Sequence, residues 1–215
     1  MSGLQIYNSA GVLTIDGSSK SVVASQYKAM GAVSDVGYYQ LINSLGGQYT
    51  TGYLAQSFFP SSGLRWFRPL VDGSLNFPGA LMYQPGSGDF MITSNTNGIA
   101  SGYCDVFNES GALIWSAVAA SSMPRIIGFL TVPAGYNLSS PITLSSPIAN
   151  PFICVSQCPG NLSDDGSVTG YSGIMIRRDN ASTFTLQYIN KNQNNFSTAM
   201  GNNGFNIALA YFVGY

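Results

Sequence analysis

The stretch LQIYNSAGVLTID, residues 4–16, is the part of the sequence that most clearly indicates the fold. Two apolar-rich runs, residues 4–7 and 12–15, flank a short Asn-Ser-Ala-Gly connection. Asn8 can bond its own backbone, and Gly11 can take a positive φ without a Cβ clash. Two apolar runs on either side of such a connection predict a β-hairpin.

The same pattern returns near the middle of the chain, in CDVFNESGALIWS, residues 104–116. The matched residues all lie 108 − 8 = 100 positions apart, and they pair Ile6, Tyr7, Asn8, Gly11 and Leu13 with Val106, Phe107, Asn108, Gly111 and Leu113. The echo predicts a second, related hairpin. Two copies are too few for a solenoid, which needs at least about three stacked units to bury a core.

Turn signals recur about every ten residues from residue 36 onward, which favours a sandwich or barrel over alternating strands and helices. We therefore predict an all-β, β-sandwich-like fold. Two related lobes are expected, residues 1–101 with the first hairpin and residues 102–215 with the second. A single continuous domain of this length is the alternative that the sequence leaves open.

Several segments carry a more specific expectation. Residues 183–188 alternate with period two, as a half-buried strand does. Residues 22–30 are the one stretch in which a short helix is considered, although a clear cap is lacking. A final strand, residues 205–215, is predicted to be large on one face, which carries Phe205, Ile207, Leu209, Tyr211, Val213 and Tyr215.

The composition is apolar and nearly uncharged. Hydrophobic residues make up 45% of the chain and charged residues 8%, against a usual charged share of about 25%. Large exposed apolar patches usually mark contacts between proteins. The composition therefore predicts a homo-oligomer or a component of a larger assembly.

The charge distribution argues against nucleic acid and membrane as partners. The net charge is −1, and Arg177-Arg178 is the only adjacent basic pair, so the sequence lacks an electrostatic footprint for phosphate backbones. The longest nearly unbroken apolar run, residues 112–120, is far shorter than the ~20 residues that a membrane helix needs. Because no basic region precedes an apolar core near residue 1, we expect synthesis and folding in a cytoplasm.

The three cysteines, Cys104, Cys154 and Cys158, are interpreted as buried free thiols. A disulfide between Cys154 and Cys158 is the alternative. A zinc site is disfavoured because the sequence contains no histidine. No metal or cofactor is expected.

The sequence offers little for catalysis, and we predict that the protein is not an enzyme. Acid–base chemistry near neutral pH needs a histidine or a carboxylate in a tuned environment. Histidine is absent, and the single glutamate, Glu109, falls in the second predicted hairpin turn. Asp164 and Asp165 are adjacent, whereas a calcium loop alternates its acids, so we interpret them as turn residues.

Aromatic residues are the better candidates for binding. In LRWFRP, residues 64–69, Trp66 and Phe67 would lie on opposite faces of a strand between Arg65 and Arg68. One face could then present a ring beside a cation, the kind of surface that stacks on a sugar or grips a protein. Structural packing, in which the arginine stems cover an apolar edge, is the alternative.

The opening GLQIYNSAG, residues 3–11, resembles the start of a family of small tailed-bacteriophage proteins. These proteins often begin with Gly-Leu-Gln, an apolar residue, an aromatic residue, Asn and, after two further residues, Gly. The resemblance implies a structural role in the virion, on the tail or tail fibre, and it supplies no catalytic residues.

We therefore predict a virion structural protein of the tail that assembles onto other virion proteins through strand edges and apolar surfaces. The predicted interface residues are Leu4, Ile6, Tyr7, Tyr211 and Tyr215. One alternative is a tip protein that binds a host glycan or receptor through Arg65, Trp66 and Arg68 or through the polar loops at residues 94–101 and 190–203. Another alternative is a decoration protein of the phage head.

Overall fold

The computed structural model describes residues 5–7, 13–16, 20–30, 38–43, 47–53, 58–59, 62–164 and 166–215. Within these ranges the chain is mostly β, so the predicted all-β, sandwich-like fold is confirmed. The elements are β1 Gln5–Tyr7, β2 Leu13–Asp16, β3 Val23–Ala29, β4 Tyr38–Asn43, β5 Gly47–Tyr53, β6 Leu64–Pro69, β7 Leu75–Asn76, β8 Met82–Tyr83, β9 Gly88–Ser94, β10 Asp105–Phe107, β11 Leu113–Ser116, β12 Arg125–Val132, β13 Ile142–Ser145, β14 Phe152–Cys154, β15 Gly160–Asp164, β16 Thr169–Asn180, β17 Thr183–Lys191, α1 Phe196–Met200 and β18 Phe205–Tyr211.

Two antiparallel sheets form the body of the fold. One has six strands in the order β12-β18-β14-β6-β9-β3, and the other runs β13-β17-β16-β15 with β7 also paired to β16. A smaller sheet joins β4, β5 and β8. The six-stranded sheet contains β3, β6 and β9 from residues 1–101 and β12, β14 and β18 from residues 102–215. The boundary drawn between two lobes therefore does not coincide with a boundary between sheets.

The main core lies between the two larger sheets. From the six-stranded sheet it takes alternate residues such as Phe67, Phe90 and Leu209, and from the other sheet it takes Ile176 and Leu186, all less than 3% exposed. Because side chains alternate along a strand, the residues between these point to the opposite faces.

Both predicted pairs of strands are present, and their described residues correspond one by one. In the first, Gln5 pairs with Asp16, Ile6 with Ile15 and Tyr7 with Leu13. The second repeats this register 100 residues later, and both change register after the second pair. The sequence echo is therefore a structural repeat that includes the same bulge. The side chains of β1 and β2 and the whole of Leu4 lie outside the described residues.

The predicted final strand is too long. β18 ends at Tyr211, and the Tyr215 N–H then donates to the Phe212 carbonyl in a turn. The Phe212 ring meets Phe152 and Trp66 edge-on, with centroids 5.1 and 6.0 Å away. The Phe212 ring is buried and the strand has ended, so Val213 and Tyr215 do not continue its face.

The helix considered at residues 22–30 is also absent, because this segment forms β3 and pairs with β9. The described α-helix is α1 instead, within the polar segment of residues 190–203. The Asn195 side chain caps it by accepting from the Thr198 N–H at 2.9 Å, and Gly201 ends it with a φ of 62°. Phe196 anchors it in the main core.

Candidate assembly surface and aromatic cleft

The outer face of the six-stranded sheet is apolar, although this face does not point into the main core. Its buried cluster consists of Trp66, Met91, Phe152, Cys154, Ala208, Ala210 and Phe212. Phe212, which follows β18, covers part of this cluster. A sandwich usually turns polar side chains outward, so this face is the unusual feature of the fold.

The apolar surface continues onto the edge strand β12. Ile126 is paired with Ala210, and Phe129 with Ala208. Directly opposed residues share a face, so Ile126 and Phe129 lie beside the outer cluster, where they are 50% and 53% exposed. We call the surface formed by Ile126 and Phe129 the β12 patch.

Trp66 is part of the buried cluster and is 2% exposed. Its indole N–H donates to the Thr93 hydroxyl at 3.0 Å. A ligand could not stack on this ring without displacing Phe212. The geometry therefore favours the packing interpretation of Trp66.

The two arginines beside Trp66 lie in different environments. Arg65 has its guanidinium 5.1 Å from the centroid of Phe59, a residue of the main core. Arg68 lies on the outer side with Trp66, as the alternation along β6 requires. The predicted group of Arg65, Trp66 and Arg68 therefore does not form one binding site.

Arg68 is held by two contacts. Its Nη2 is 2.6 Å from the Asp89 carboxylate, and its guanidinium lies 4.7 Å from the centroid of Phe152. The Arg68 Nε–H is buried and has no acceptor among the residues that the structure describes. The ion pair neutralises the local charge and fixes the guanidinium beside a cleft.

This cleft, of about 450 Å³, is lined by Arg68, Asn150, Phe152, Tyr211 and Tyr215, among others. We call it the aromatic cleft. Two residues predicted at an interface, Tyr211 and Tyr215, thus meet the predicted ligand-binding residue Arg68. A second cleft, of about 340 Å³, also has Tyr215 in its wall, so this side chain stands between the two.

Both tyrosines are positioned by neighbours that the sequence alone did not associate with them. Arg125 lies 5.7 Å from the centroid of Tyr211 and donates to its hydroxyl at 3.4 Å. The ring of Tyr215 stacks at 4.9 Å on that of Tyr27. Partial burial, followed by the nearby Asp89 carboxylate, raises the pKa of Tyr27.

Asn150 brings an oriented amide to the cleft. The Arg178 Nη2 donates to its Oδ1 at 2.8 Å. Arg178 also binds Asp72 and the Leu70 carbonyl. Because the amide oxygen is engaged, the amide nitrogen of Asn150 is the atom that can donate to a ligand. The sequence analysis did not identify Asn150 or Arg125 as site residues. Both lie near Tyr211 only because β12, β14 and β18 are neighbours in the sheet.

The cysteines are free thiols, and Cys154 and Cys158 are buried, as predicted. Burial raises the pKa of Cys154 to about 11 and that of Cys158 further in the same direction. They pack in different clusters, Cys154 with the outer one and Cys158 with the main core. The prediction was wrong for Cys104, which is exposed.

These features define an antiparallel β-sandwich protein with an apolar outer sheet face and an aromatic cleft beside it. The chain belongs to the family described as a domain of unknown function, DUF8377, whose family model matches residues 1–214. Comparisons with curated proteins and with solved structures found no match. None of the helical segments in the described ranges has the length and hydropathy needed to cross a membrane.

Proposed function

We propose that this protein is a structural component of a tailed-bacteriophage virion, located on the tail or tail tip, and that it works by assembly rather than catalysis. The observation that carries the proposal is the exposed β12 patch, which lies beside the buried apolar cluster on the outer face of the six-stranded sheet. The resemblance of residues 3–11 to small phage tail proteins supports the tail of a phage virion as the assembly to which this protein belongs.

The energetics of the β12 patch favour contact with another chain. Fully burying a Phe or Ile side chain is worth about 1.5–3 kcal/mol, and Ile126 and Phe129 are about half exposed. Covering both would therefore contribute about 2 kcal/mol. This gain is small for one contact, but it multiplies when many copies assemble.

The backbone of β12 adds a second means of contact. Within the described part of the chain, β12 ends the six-stranded sheet and pairs there with β18. An edge strand offers N–H and C=O groups that a strand from another protein can extend. Its eight residues carry one charge, that of Arg125, so little opposes such pairing.

The test is a charge placed in the β12 patch. We expect Phe129→Lys to reduce the oligomer mass measured by light scattering and to weaken copurification with coexpressed tail proteins. Val168→Lys is the matched control because Val168 is 52% exposed and lies between β15 and β16, in the other sheet. A wild-type protein that is monomeric at micromolar concentration and binds no virion protein would contradict the proposal.

The location on the particle is tested separately by electron microscopy of virions labelled with an antibody against this protein. Label on the tail is the expected result, and label on the head would favour a decoration protein. Removal of residues 1–17 tests the N-terminal hairpin, which we expect to be required for attachment.

A further inference from the structure

We infer that the aromatic cleft is a binding site for a neutral saccharide, and that the tyrosines rather than Trp66 provide its stacking surface. The inference does not depend on the proposed role in a virion. It rests on the combination of exposed rings, oriented donors and balanced charge in one cleft.

The rings come from Tyr211 and Tyr215, which are 36% and 58% exposed. Tyrosine is suited to a sugar because its ring covers the apolar C–H face of a pyranose while its hydroxyl stays hydrated. Arg125 and Tyr27 hold these rings from outside the cleft. Little side-chain freedom is then lost on binding, which favours affinity.

The donors come from Asn150 and Arg68. The Asn150 amide is oriented by Arg178, so its N–H₂ group can donate to a hydroxyl oxygen. Arg68 lines the cleft, and its Nε–H lacks an acceptor among the described residues. The Nε atom itself is buried, so Arg68 meets a ligand through the rest of its side chain.

The charge in the cleft indicates a neutral ligand. The Asp89 carboxylate cancels the Arg68 charge at 2.6 Å, so the floor of the cleft gives an anion no net attraction. Arg125, whose Nη1 donates to the Tyr211 hydroxyl, is not among the residues that line the cleft. A phosphate or sulfate site would instead need an arginine without a carboxylate partner.

The size of the site favours an oligosaccharide over a single sugar. The aromatic cleft has a volume of about 450 Å³ and the second cleft about 340 Å³, and each lies within the range of small-molecule sites. Because Tyr215 lines both, a chain of sugar units could pass from one to the other across this ring.

The experiment uses the full chain on a microarray that carries neutral hexose oligosaccharides together with sialylated and sulfated ones, followed by titration of the bound glycan. We expect binding to neutral glycans. Tyr211→Ala and Tyr215→Ala should each weaken it about tenfold, which corresponds to about 1.4 kcal/mol. Tyr103→Ala is the matched control because this ring is fully exposed and lines neither cleft.

A second variant tests the donor without removing a ring. Asn150→Asp keeps an acceptor for Arg178 and tolerates the φ of 50° found here, but it replaces the N–H₂ donor with an oxygen. We expect it to weaken saccharide binding while the unfolding midpoint stays within a few degrees. The inference is overturned if no neutral glycan binds at millimolar concentration, if only anionic glycans bind, or if both tyrosine variants bind as the wild type does.

Discussion

Replacement of Trp66 by alanine distinguishes a packing role from a binding role. The indole is 2% exposed and is surrounded by the outer cluster. Truncating a buried Phe or Trp to Ala costs about 3–5 kcal/mol, and the Thr93 hydroxyl, itself 0% exposed, would lose its indole donor. Against a typical total stability of about 5–15 kcal/mol, Trp66→Ala should remove about a fifth or more of the free energy of unfolding.

The measurement is urea unfolding followed by circular dichroism, supported by thermal melts. For a domain of this size each kcal/mol lowers Tm by about 2–4 °C, so we expect a decrease of about 6–20 °C. Trp66→Phe keeps most of the ring but removes the N–H, and it should cost about 1–3 kcal/mol. Combined with Thr93→Val, the loss should be smaller than the sum of the two single losses, because the two groups form one hydrogen bond.

If the indole is packed in the core, Trp66→Ala must lower the free energy of unfolding. If it lost less than about 1 kcal/mol, the indole would not be an integral part of the core. If it also lost saccharide binding while keeping its stability, the original interpretation of Trp66 as a stacking platform would replace the one drawn from the geometry.

Three further outcomes follow from single contacts. Gly160→Ala should lower the free energy of unfolding in urea by about 1–3 kcal/mol, because the added Cβ would lie 2.7 Å from the Gly79 Cα. Gly98→Ala is the control: its added Cβ meets nothing within 4 Å, so stability should change by less than about 0.5 kcal/mol. A thiol reagent should label Cys104 rapidly in the native protein and the two buried thiols only after denaturation; rapid labelling of all three would contradict their burial. The hydrogen bond from the Gly102 N–H lowers the pKa of Asp105. The stabilisation from this carboxylate is therefore complete above its unfolded pKa and is lost as the pH falls through the lower folded pKa. Asp105→Asn should lack this acid-dependent decrease in stability when unfolding is measured down to about pH 3.

The hairpins could be predicted because their turns depend on residue identity over a short distance. In the second hairpin the Asn108 Oδ1 accepts from the N–H groups of Ser110 and Ala112, and Gly111 has a φ of 78°. These are the roles that the sequence pattern assigns to Asn and Gly. Strand β12 is limited on both sides by proline, Pro124 before it and Pro133 after it.

The aromatic cleft could not be predicted, because it depends on which strands become neighbours. Alternation along β6 correctly separates Trp66 from Phe67, but it does not tell which face another element covers. That was decided by Phe212, which folds back over the outer face. The same turn carries Tyr215 to Tyr27, a contact between residues almost at opposite ends of the chain.

The polar strand β17 shows a related limit. Its alternation predicted one buried face, and Phe184 and Leu186 do pack in the main core. However, Thr185 and Gln187 are also buried. The Gln187 amide donates to the Ser139 carbonyl at 2.8 Å, and the Thr185 hydroxyl donates to Asp179 at 2.5 Å. Uncharged polar side chains can be buried when each has a hydrogen-bond partner. In a sequence with few charges, a polar residue is therefore a weaker indication of an exposed position.

Each of the two hairpins is followed in the sequence by an edge strand of the six-stranded sheet. The first hairpin leads through residues 17–22 into β3, and the second leads through residues 117–124 into β12. These two strands are the opposite edges of the six-stranded sheet. Turn positions require Asn or Gly, whereas many apolar residues satisfy a strand position, so the sequence match fades where the hairpins end. A backbone bond from the Ser21 N–H to the Ile114 carbonyl ties the second hairpin to the start of the opposite edge. Each edge of the sheet is thus entered from a hairpin, and the apolar outer face lies between them.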